Sequence, residues 1–308
     1  MNRAELKALL ATVGVTPRKR LGQNFCVDDK LCEAIVRDSG LQADELCLEI
    51  GPGAGALTER LLERCRAVLA CELDAGLARL LRSRFGDRPD FTLLEGDALE
   101  RKNALSPALV AALDAVGDAG LESAAPGTGL RVVANLPYAI ATPLTILLLE
   151  LERPIRGLTV LVQREFAERI CAPPGSKEYG AATVLARILA TAKITRKVPA
   201  SVFHPRPKVE SAVLQLEPRE LGQGAARPGY RTLRGLVRGL FNYRRKTLSA
   251  AARNLIKQDS TYAGLPLAIE RVDLDASTRV ESLTDDAFLE LALALETAAE
   301  AEGPEARR

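Results

Sequence analysis

The stretch LEIGPGAGALTERLL, Leu48–Leu62, decides the fold, because it joins an apolar run to an amphipathic helix through three glycines. Gly51, Gly53 and Gly55 directly follow the predicted strand. Glycine permits a tight turn and lets a ligand approach the backbone closely, and the N-terminus of the next helix offers unpaired N–H groups. The loop therefore predicts a nucleotide or nucleoside site. The spacing from Gly51 through Gly53 to Ala56 also fits the dinucleotide pattern, so the loop alone does not decide between ligands.

Two acids and an amide stand at the ends of the strands that follow. Glu72, in ACELD, ends the next strand, where a carboxylate can accept hydrogen bonds from both hydroxyls of a ribose. Asp97, in EGDAL, comes one strand later, where an acid can bind the exocyclic amine of an adenine. The run VVANLPYAIATP, 132–143, begins as an apolar strand and ends with Asn135 and Tyr138 around a proline, which is more typical of a site than of a core. These residues thus fall on successive strand ends, where open α/β sheets bind their ligands.

Five apolar runs alternate with segments of helical character, which indicates a parallel, doubly wound sheet. Two later candidates, Ala192–Val198 and Val209–Leu216, are joined by so short a connection that we expect a hairpin, since a parallel crossover needs about a dozen residues or more. The five runs are Glu45–Ile50, Ala67–Glu72, Phe91–Glu95, Arg131–Leu136 and Leu158–Gln163.

The pattern changes after the hairpin. EPRELGQGAARPGY, rich in glycine, proline and charge, precedes two stretches with helical spacing, RTLRGLVRGLFNYRRKTLSAAARNLI and DDAFLELALALETAAEAE. We expect residues 1–217 to form a ligand-binding α/β domain, residues 218–230 a linker and residues 231–308 a small helical domain. No window of about eighteen uncharged apolar residues occurs and the N-terminus lacks a clean apolar signal segment, so we expect a cytoplasmic protein with no membrane span.

Charge is distributed unevenly in a chain whose net charge is only +2. Residues 196–256 contain thirteen Lys and Arg against three acidic residues, whereas residues 257–308 contain five basic and twelve acidic residues. The basic block indicates a polyanion partner, with a solvated helix face as the alternative. The six cysteines form no C-x-x-C pair and His204 is the single histidine, so we expect reduced thiols and neither a zinc site nor a disulfide framework.

Seven motifs occur in an order that is similar to that of one family. They are RKRLGQNF, EIGPGAGALT, ELD, GDAL, NLPY, FHPRPKVESAV and FNYRRKT, and the segment GSKEYG, 175–180, fits as well. From about Arg18 to Leu295 the chain resembles the small-subunit ribosomal RNA adenine dimethyltransferases, which are class I methyltransferases that use S-adenosylmethionine. The resemblance implies an α/β fold, a Rossmann-like class I methyltransferase sheet with a small C-terminal all-helical domain. We expect a monomer, since nothing in the sequence demands a dimer, and no metal, since a sulfonium is already a strong electrophile.

The same resemblance implies a substrate and a set of site residues. Methyl groups would pass to the N6 amines of two adjacent adenines in the 3′-terminal hairpin of 16S ribosomal RNA in the small ribosomal subunit, with a role in late small-subunit biogenesis. The expected catalytic residues are Asn135, Leu136, Pro137 and Tyr138. The expected contacts of S-adenosylmethionine are Asn24, Cys26, Gly51, Gly53, Gly55, Glu72, Asp97 and Asn135.

The catalytic tetrad also has a physical rationale. The lone pair of an adenine N6 is delocalised into the ring, so the amine must be oriented toward the methyl group that it attacks. The side-chain oxygen of Asn135 and the carbonyl of Leu136 can accept its two N–H bonds, and Tyr138 can stack on the base. Stacking contributes about 1–3 kcal/mol per base, which offsets much of the cost of extruding a nucleotide. In-line alignment then supplies most of the rate effect.

A largely basic set is expected to contact the RNA. Phe203 either forms a second aromatic wall for the base or belongs to the core of the hairpin. Contacts to phosphates should make binding fall steeply with salt. The candidate RNA contacts are Arg18, Lys19, Arg20, Phe203, Arg206, Lys208, Arg244, Arg245 and Lys246.

Three other interpretations are open at this point. A large-subunit (23S) ribosomal RNA adenine methyltransferase of the macrolide-resistance type shares the loop and the tetrad, although GSKEYG and FNYRRKT favour the small subunit. A non-catalytic ribosome-assembly factor could keep the fold and the basic region. A nicotinamide dehydrogenase is disfavoured, because no acid/base histidine or tyrosine–lysine pair accompanies the glycine loop. The chain also has Ala139, Ala141 and Cys26 where family members often carry Asn, Ser and Leu, and the two alanines remove polar contacts behind the site.

Overall fold

A seven-stranded mixed sheet lies at the centre of the protein, whose computed structural model describes residues 1–121, 129–153, 155–219 and 224–301. Its strands follow the order β4, β3, β2, β7, β8, β11, β9, and two further pairs, β1 with β10 and β5 with β6, lie outside it. The strands are β1 (Phe25–Cys26), β2 (Leu46–Ile50), β3 (Ala67–Glu72), β4 (Phe91–Glu95), β5 (Leu99–Arg101), β6 (Ala104–Leu105), β7 (Leu130–Asn135), β8 (Ile155–Gln163), β9 (Ala190–Val198), β10 (Phe203–His204) and β11 (Ser211–Pro218). The helices are α1 (Arg3–Thr12), α2 (Asp29–Asp38), α3 (Ala56–Leu61), α4 (Ala75–Phe85), α5 (Pro107–Leu121), α6 (Ala141–Leu149), α7 (Arg164–Ile170), α8 (Ala181–Leu189), α9 (Tyr230–Phe241), α10 (Leu248–Gln258), α11 (Leu265–Arg271) and α12 (Asp285–Ala301).

The five predicted parallel strands are confirmed. β4, β3, β2, β7 and β8 pair in parallel, and β3 and β4 have the predicted bounds. β8 begins three residues earlier than expected, at Ile155, which pairs with Leu130 at the start of β7. β2 is buried along its whole length, as a strand with helices on both faces should be.

The predicted hairpin is also confirmed, because β11 pairs antiparallel with β9. β11 pairs antiparallel with β8 on its other side, so it is an antiparallel strand set inside the sheet. The connection between β9 and β11 contains a 3-10 turn, Ala200–Val202, and a short strand, neither of which was predicted. Phe203 and His204 form β10, which pairs with Cys26 and Phe25 of β1, and two-residue strands are too short to show a hydrophobic period.

The chain reverses its direction of travel across the sheet between β2 and β7. From β2 it passes to β3 and β4 on one side, and β7 and β8 lie on the other side. Such a reversal opens a crevice at the carboxyl ends of the two central strands, which is the usual ligand position in an open α/β sheet. Gly51 follows β2 and Asn135 ends β7, so the glycine loop and the tetrad meet at this crevice.

The described residues beyond Pro218 are helical or irregular and contain α9 to α12. α9 buries Leu233, Leu236, Val237 and Leu240, whose spacing of three and four places them on one helix face. One cluster of buried residues runs from the sheet into these helices. Residues 220–223 of the expected linker lie outside the described ranges, and the division at 217 and 231 stays a prediction. Over the described ranges, no helix has the length and apolar character that a membrane crossing needs.

Candidate active site at the strand ends

A cavity opens at the carboxyl ends of β2, β3, β4 and β7, and the segment from Arg20 to Cys26 closes one side of it. The loop after each strand contributes to its wall, so residues that are far apart in the sequence meet there. Most of the expected cofactor contacts and all four residues of the tetrad lie on this wall: Asn24, Cys26, Gly51, Gly53, Glu72, Asp97, Asn135, Leu136, Pro137 and Tyr138.

The glycine loop adopts a backbone that favours glycine at each predicted position. Gly51 and Gly53 have φ angles of 71° and 60° and line the cavity. A Cβ on Gly53 would lie 3.0 Å from the ring of Phe25, so the loop passes close to β1. Gly55 does not line the cavity. A Cβ at Gly55 would lie 2.6 Å from the ring of Phe85, so glycine at this position allows α3 to pack on α4, and the expected cofactor contact at Gly55 stays a prediction.

Glu72 is the acid at the end of β3, and its side chain is 5% exposed. Its Oε2 accepts a hydrogen bond of 3.0 Å from the N–H of Gly53, and its Oε1 accepts one of 2.8 Å from the N–H of Asp74. Burial raises the pKa of Glu72 to about 7, although the backbone N–H groups lower it. The carboxylate is therefore fixed against the glycine loop and titrates in the neutral range.

Glu49 is a second buried acid on the cavity wall, at a position for which no role was predicted. Its Oε2 accepts a 2.7 Å hydrogen bond from the hydroxyl of Thr58 on α3. Burial raises the pKa of Glu49 to about 8, so the neutral acid predominates at pH 7. The signal that could have revealed it is a lone acid inside the apolar strand LCLEI.

The other acid, Asp97, follows β4 and is exposed on the cavity wall. Its Oδ1 accepts a 2.9 Å hydrogen bond from the N–H of Leu99, which fixes the loop after β4. Cys26 lies on the opposite part of the wall, in the strand that pairs with Phe203.

Asn135 is held by a backbone atom of the segment that covers the cavity. Its Nδ2 donates a 3.0 Å hydrogen bond to the carbonyl of Asn24, and the Asn24 side chain in turn donates to the carbonyl of Gly22 at 3.0 Å. The N–H of Leu136 donates to the carbonyl of Leu161 on β8 at 3.1 Å. In the part of the chain that the structure describes, the Oδ1 of Asn135 and the carbonyl of Leu136 receive no hydrogen bond, so two oxygens of adjacent residues stay available as acceptors.

Tyr138 is half-buried at the edge of the cavity, and burial raises the pKa of its phenol. Its hydroxyl lies 2.6 Å from the hydroxyl of Ser211, the first residue of β11. Pro137, the residue before it, packs against the glycine loop at Gly51. The ring is thus held by β11 at its hydroxyl, and the residue before it packs on the glycine loop.

The basic segment before Asn24 is clamped to the acid that caps α4. Asp74 is 3% exposed, and its Oδ1 accepts from the N–H groups of Gly76 and Leu77. Its Oδ2 accepts a 3.2 Å hydrogen bond from Gln23 and forms an ion pair of 3.3 Å with Arg18. Arg18 is half-exposed, and Arg20 is exposed on the cavity wall. Nothing can be said of the Lys19 side chain, which lies outside the description.

Arg206 and Lys208 are exposed in the connection between β10 and β11. β10 pairs with β1 on the cavity wall, and Ser211 at the start of β11 contacts Tyr138, so this connection lies beside the cavity. Phe203, in contrast, is 0% exposed in a buried cluster. Its expected role as an aromatic wall for RNA is wrong, because the pairing of β10 with β1 turns the ring into the core.

The three basic residues after α9 differ from one another. Arg244 is half-buried, donates from Nε to Glu281 at 2.9 Å and donates from Nη2 to the carbonyls of Ser176 and Lys177. It therefore connects the GSKEYG segment to the helical region, and the expected phosphate contact at Arg244 stays a prediction. Arg245 and Lys246 are exposed and keep the expected role as a prediction.

Comparison with known proteins finds similarity to one family along almost the whole chain. Residues 14–296 match the sequence model of the family described as ribosomal RNA adenine dimethylase. A protein of Shouchella clausii named ribosomal RNA small subunit methyltransferase A is 38% identical over 298 residues, which cover 95% of this chain and 94% of that protein.

Solved structures show the fold. A dimethyladenosine transferase from Plasmodium falciparum matches with a TM-score of 0.70 at 22% identity, over 89% of this chain and 98% of its own. The 23S rRNA methyltransferase ErmE matches with a TM-score of 0.60 at 24% identity, over 89% of this chain and 100% of its own. The expected Rossmann-like class I methyltransferase fold with a helical C-terminal region is confirmed.

The matched residues include the glycine loop, the tetrad, the connection to β11 and nearly all of the described helical region. The fold alone is shared by a protein named dimethyladenosine transferase and one named 23S rRNA methyltransferase. The match to the family's sequence model identifies the family, which the fold alone does not, because the match spans both the α/β region and the helical region. The chain therefore belongs to the ribosomal RNA adenine dimethylase family.

Proposed function

We propose that the protein transfers methyl groups from S-adenosylmethionine to the N6 amines of two adjacent adenines in the 3′-terminal hairpin of 16S ribosomal RNA. One observation carries the proposal. The amide nitrogen of Asn135 is bound to the Asn24 carbonyl, which leaves Oδ1 of Asn135 and the Leu136 carbonyl as acceptors at the end of β7. Two acceptors on adjacent residues can bind the two N–H groups of one exocyclic amine.

This arrangement orients the amine without a proton-transfer residue. When both N–H bonds of N6 point to the two oxygens, the nitrogen is drawn out of the plane of the base and its lone pair faces away from them. Tyr138 can stack on the extruded base, which contributes about 1–3 kcal/mol. The attacking nitrogen can lose its proton after transfer, so the site needs no dedicated base.

The residues of the cavity fit S-adenosylmethionine. When bound, the cofactor supplies a methyl group on a positively charged sulfur. Glu72 would accept the ribose hydroxyls, because its carboxylate is fixed beside the glycine loop. Asp97 would accept the adenine amine, and Gly51 and Gly53 give the backbone the positive φ angles that a close approach needs. Asn24 would act on the reaction through Asn135.

The small subunit is the proposed source of the RNA. The Shouchella clausii relative carries the small-subunit name, and its similarity extends over the helical region. Arg18, Arg206 and Lys208 are exposed or half-exposed beside the cavity, where they would contact phosphates on either side of the extruded base. We propose that one copy of the chain acts on one subunit in the cytoplasm, where it also takes part in late subunit assembly.

Mass spectrometry of treated RNA tests the proposal. Purified protein and S-adenosylmethionine are incubated with small subunits that lack the modification and, in parallel, with protein-free 23S RNA. We expect two dimethylated adenines in the 16S 3′ hairpin only. Methyl groups in 23S RNA alone would support the large-subunit alternative, and binding without any transfer would support an assembly factor.

The variant Asn135→Ala tests the site within the same assay. It removes one of the two acceptors, and a misdirected nucleophile costs about 100-fold in rate. RNA binding should persist, because the phosphate contacts are untouched. Asn103→Ala is the matched control, since Asn103 is exposed and lies outside the cavity wall. Equal rates for the two variants would refute the role of the Asn135 amide.

A further inference from the structure

Ser211 contacts the tyrosine on which the base would stack, and it has no place in the proposed chemistry. It is 0% exposed at the start of β11, and its hydroxyl is 2.6 Å from the phenol oxygen of Tyr138, 73 residues earlier in the chain. A separation of 2.6 Å is a short hydrogen bond between two hydroxyls. Tyr138 lies on the cavity wall, whereas Ser211 does not.

The position of Ser211 is fixed by its neighbours on both sides. It pairs with Gln163 at the end of β8 and with Val198 at the end of β9. The carbonyl of Glu210, the residue before it, accepts a 3.0 Å hydrogen bond from the N–H of Arg164, and the side chains of these two residues form an ion pair. The serine hydroxyl is therefore a rigid point of the sheet.

The far end of the Tyr138 ring is held at this point. The near end follows Pro137, which packs on the glycine loop, so a bond at the phenol oxygen sets the direction of the long axis of the ring. A phenol O–H also prefers the plane of its ring. One hydrogen bond thus limits both the tilt and the rotation of the surface on which a base would stack.

We propose that Ser211 is a positioning residue, which holds the Tyr138 ring in the orientation that receives the target adenine. This inference rests on the proposed function and deepens it. The orientation of the target base then depends partly on β11, and the rate of transfer depends on a residue that touches neither the cofactor nor the RNA. A ring that is fixed before the base arrives does not have to be ordered during the reaction.

The test is a double-mutant cycle with Ser211→Ala and Tyr138→Phe. Each single variant removes one hydroxyl and keeps the aromatic ring, and we expect each to lower kcat for RNA methylation about 2- to 13-fold, the factor that corresponds to one hydrogen bond. The double variant should be no slower than the slower single variant, because the bond can be lost only once. The affinity for S-adenosylhomocysteine should stay unchanged in all three.

Thr159→Val is the matched control. Thr159 is a neighbouring buried hydroxyl on β8, 1% exposed, and its Oγ1 has no hydrogen-bond partner among the described residues. The control should keep the wild-type kcat. Equal rates for Ser211→Ala and Thr159→Val would overturn the proposal, and so would a double variant whose loss equals the product of the single losses.

A second measurement separates this inference from the proposed function. The chain has five tyrosines, so protein labelled with ¹³C at the tyrosine ring Cζ gives few signals, and Tyr138→Phe identifies the one from Tyr138. Ser211→Ala should shift that signal in the absence of RNA. An unmoved signal would refute the contact whatever the enzyme methylates, whereas a wild-type protein that methylates no RNA would refute the function and leave the contact standing.

Discussion

The affinity for the cofactor should depend on pH through one residue, Glu72. The buried carboxyl accepts two backbone N–H bonds, and its pKa is raised from 4.5 to about 7 because burial disfavours the charged form. Ribose hydroxyls donate to a carboxylate, so they bind the ionised form. Cofactor affinity is therefore expected to rise as the pH increases through 7.

The size of the effect follows from the ionised fraction. With a pKa of about 7, Glu72 is about nine-tenths ionised at pH 8 and about one-tenth ionised at pH 6. Affinity should therefore fall about tenfold between pH 8 and pH 6. Hydrogen bonds to a charged group contribute about 1.5–3 kcal/mol, so Glu72→Gln should weaken binding about 10- to 150-fold at pH 8 and remove the slope.

The same titration affects the stability of the protein. The folded pKa lies above the unfolded value, so the folded state binds the extra proton between pH 4.5 and 7, and this contribution to stability is lost as the pH rises through that window. The raised pKa corresponds to at most about 3.4 kcal/mol. Glu72→Gln should flatten this part of the stability profile.

Isothermal titration calorimetry with S-adenosylhomocysteine at pH 6, 7, 8 and 9 measures the affinity at constant ionic strength. Glu49→Gln is the matched control, because Glu49 is neutral below a pKa of about 8 and its replacement leaves the titration between pH 6 and 7 in place. A flat profile in the wild-type protein would refute the reasoning. So would a Glu72→Gln variant that keeps the wild-type slope.

Two further predictions concern the basic residues around the cavity. Asp74→Asn keeps the Oδ1 that caps α4 but places an amide group opposite the donors of Arg18 and Gln23. Cofactor affinity, measured by calorimetry, should therefore fall about 3- to 10-fold, while thermal stability changes little. An unchanged affinity would show that Asp74 does not hold this segment in place. Replacing both Arg206 and Lys208 by alanine should reduce the slope of log K against log salt by about 1.5 in RNA-binding titrations, since each lost phosphate contact removes about 0.7–0.9. An unchanged slope would show that these side chains do not touch phosphates.

The sheet and most of the cavity wall could be predicted, because both depend on signals that are local in the sequence. Buried parallel strands appear as continuous apolar runs; Glu72 and Asn135 end such runs, and Asp97 lies just after one. The ends of parallel strands meet at one edge of a sheet, so residues predicted separately come together. Glu49 escaped the prediction because an acid inside an apolar run was taken as part of the strand.

Three features could not be predicted from the sequence, because they depend on contacts between distant parts of the chain. Phe203 could be an aromatic wall for the base or a core residue by its sequence, and its burial depends on pairing with β1, nearly 180 residues away. Nothing in the local sequence distinguishes Arg244 from Arg245, because Glu281, the hydrogen-bond partner of Arg244, lies 37 residues further along. Gly55 belongs to a ligand motif, yet the contact that demands glycine is the ring of Phe85 on α4.

The acceptor that holds the amide of Asn135 is a main-chain oxygen. A substitution of the Asn24 side chain leaves that oxygen in place, so a single amino-acid change there cannot delete the acceptor. Only a change in the path of the chain can do so, for example a deletion or a proline nearby. Mutational scanning of the segment around Asn24 should consequently show that the hydrogen bond to the Asn135 side chain survives side-chain substitutions and is lost when the length of the segment changes.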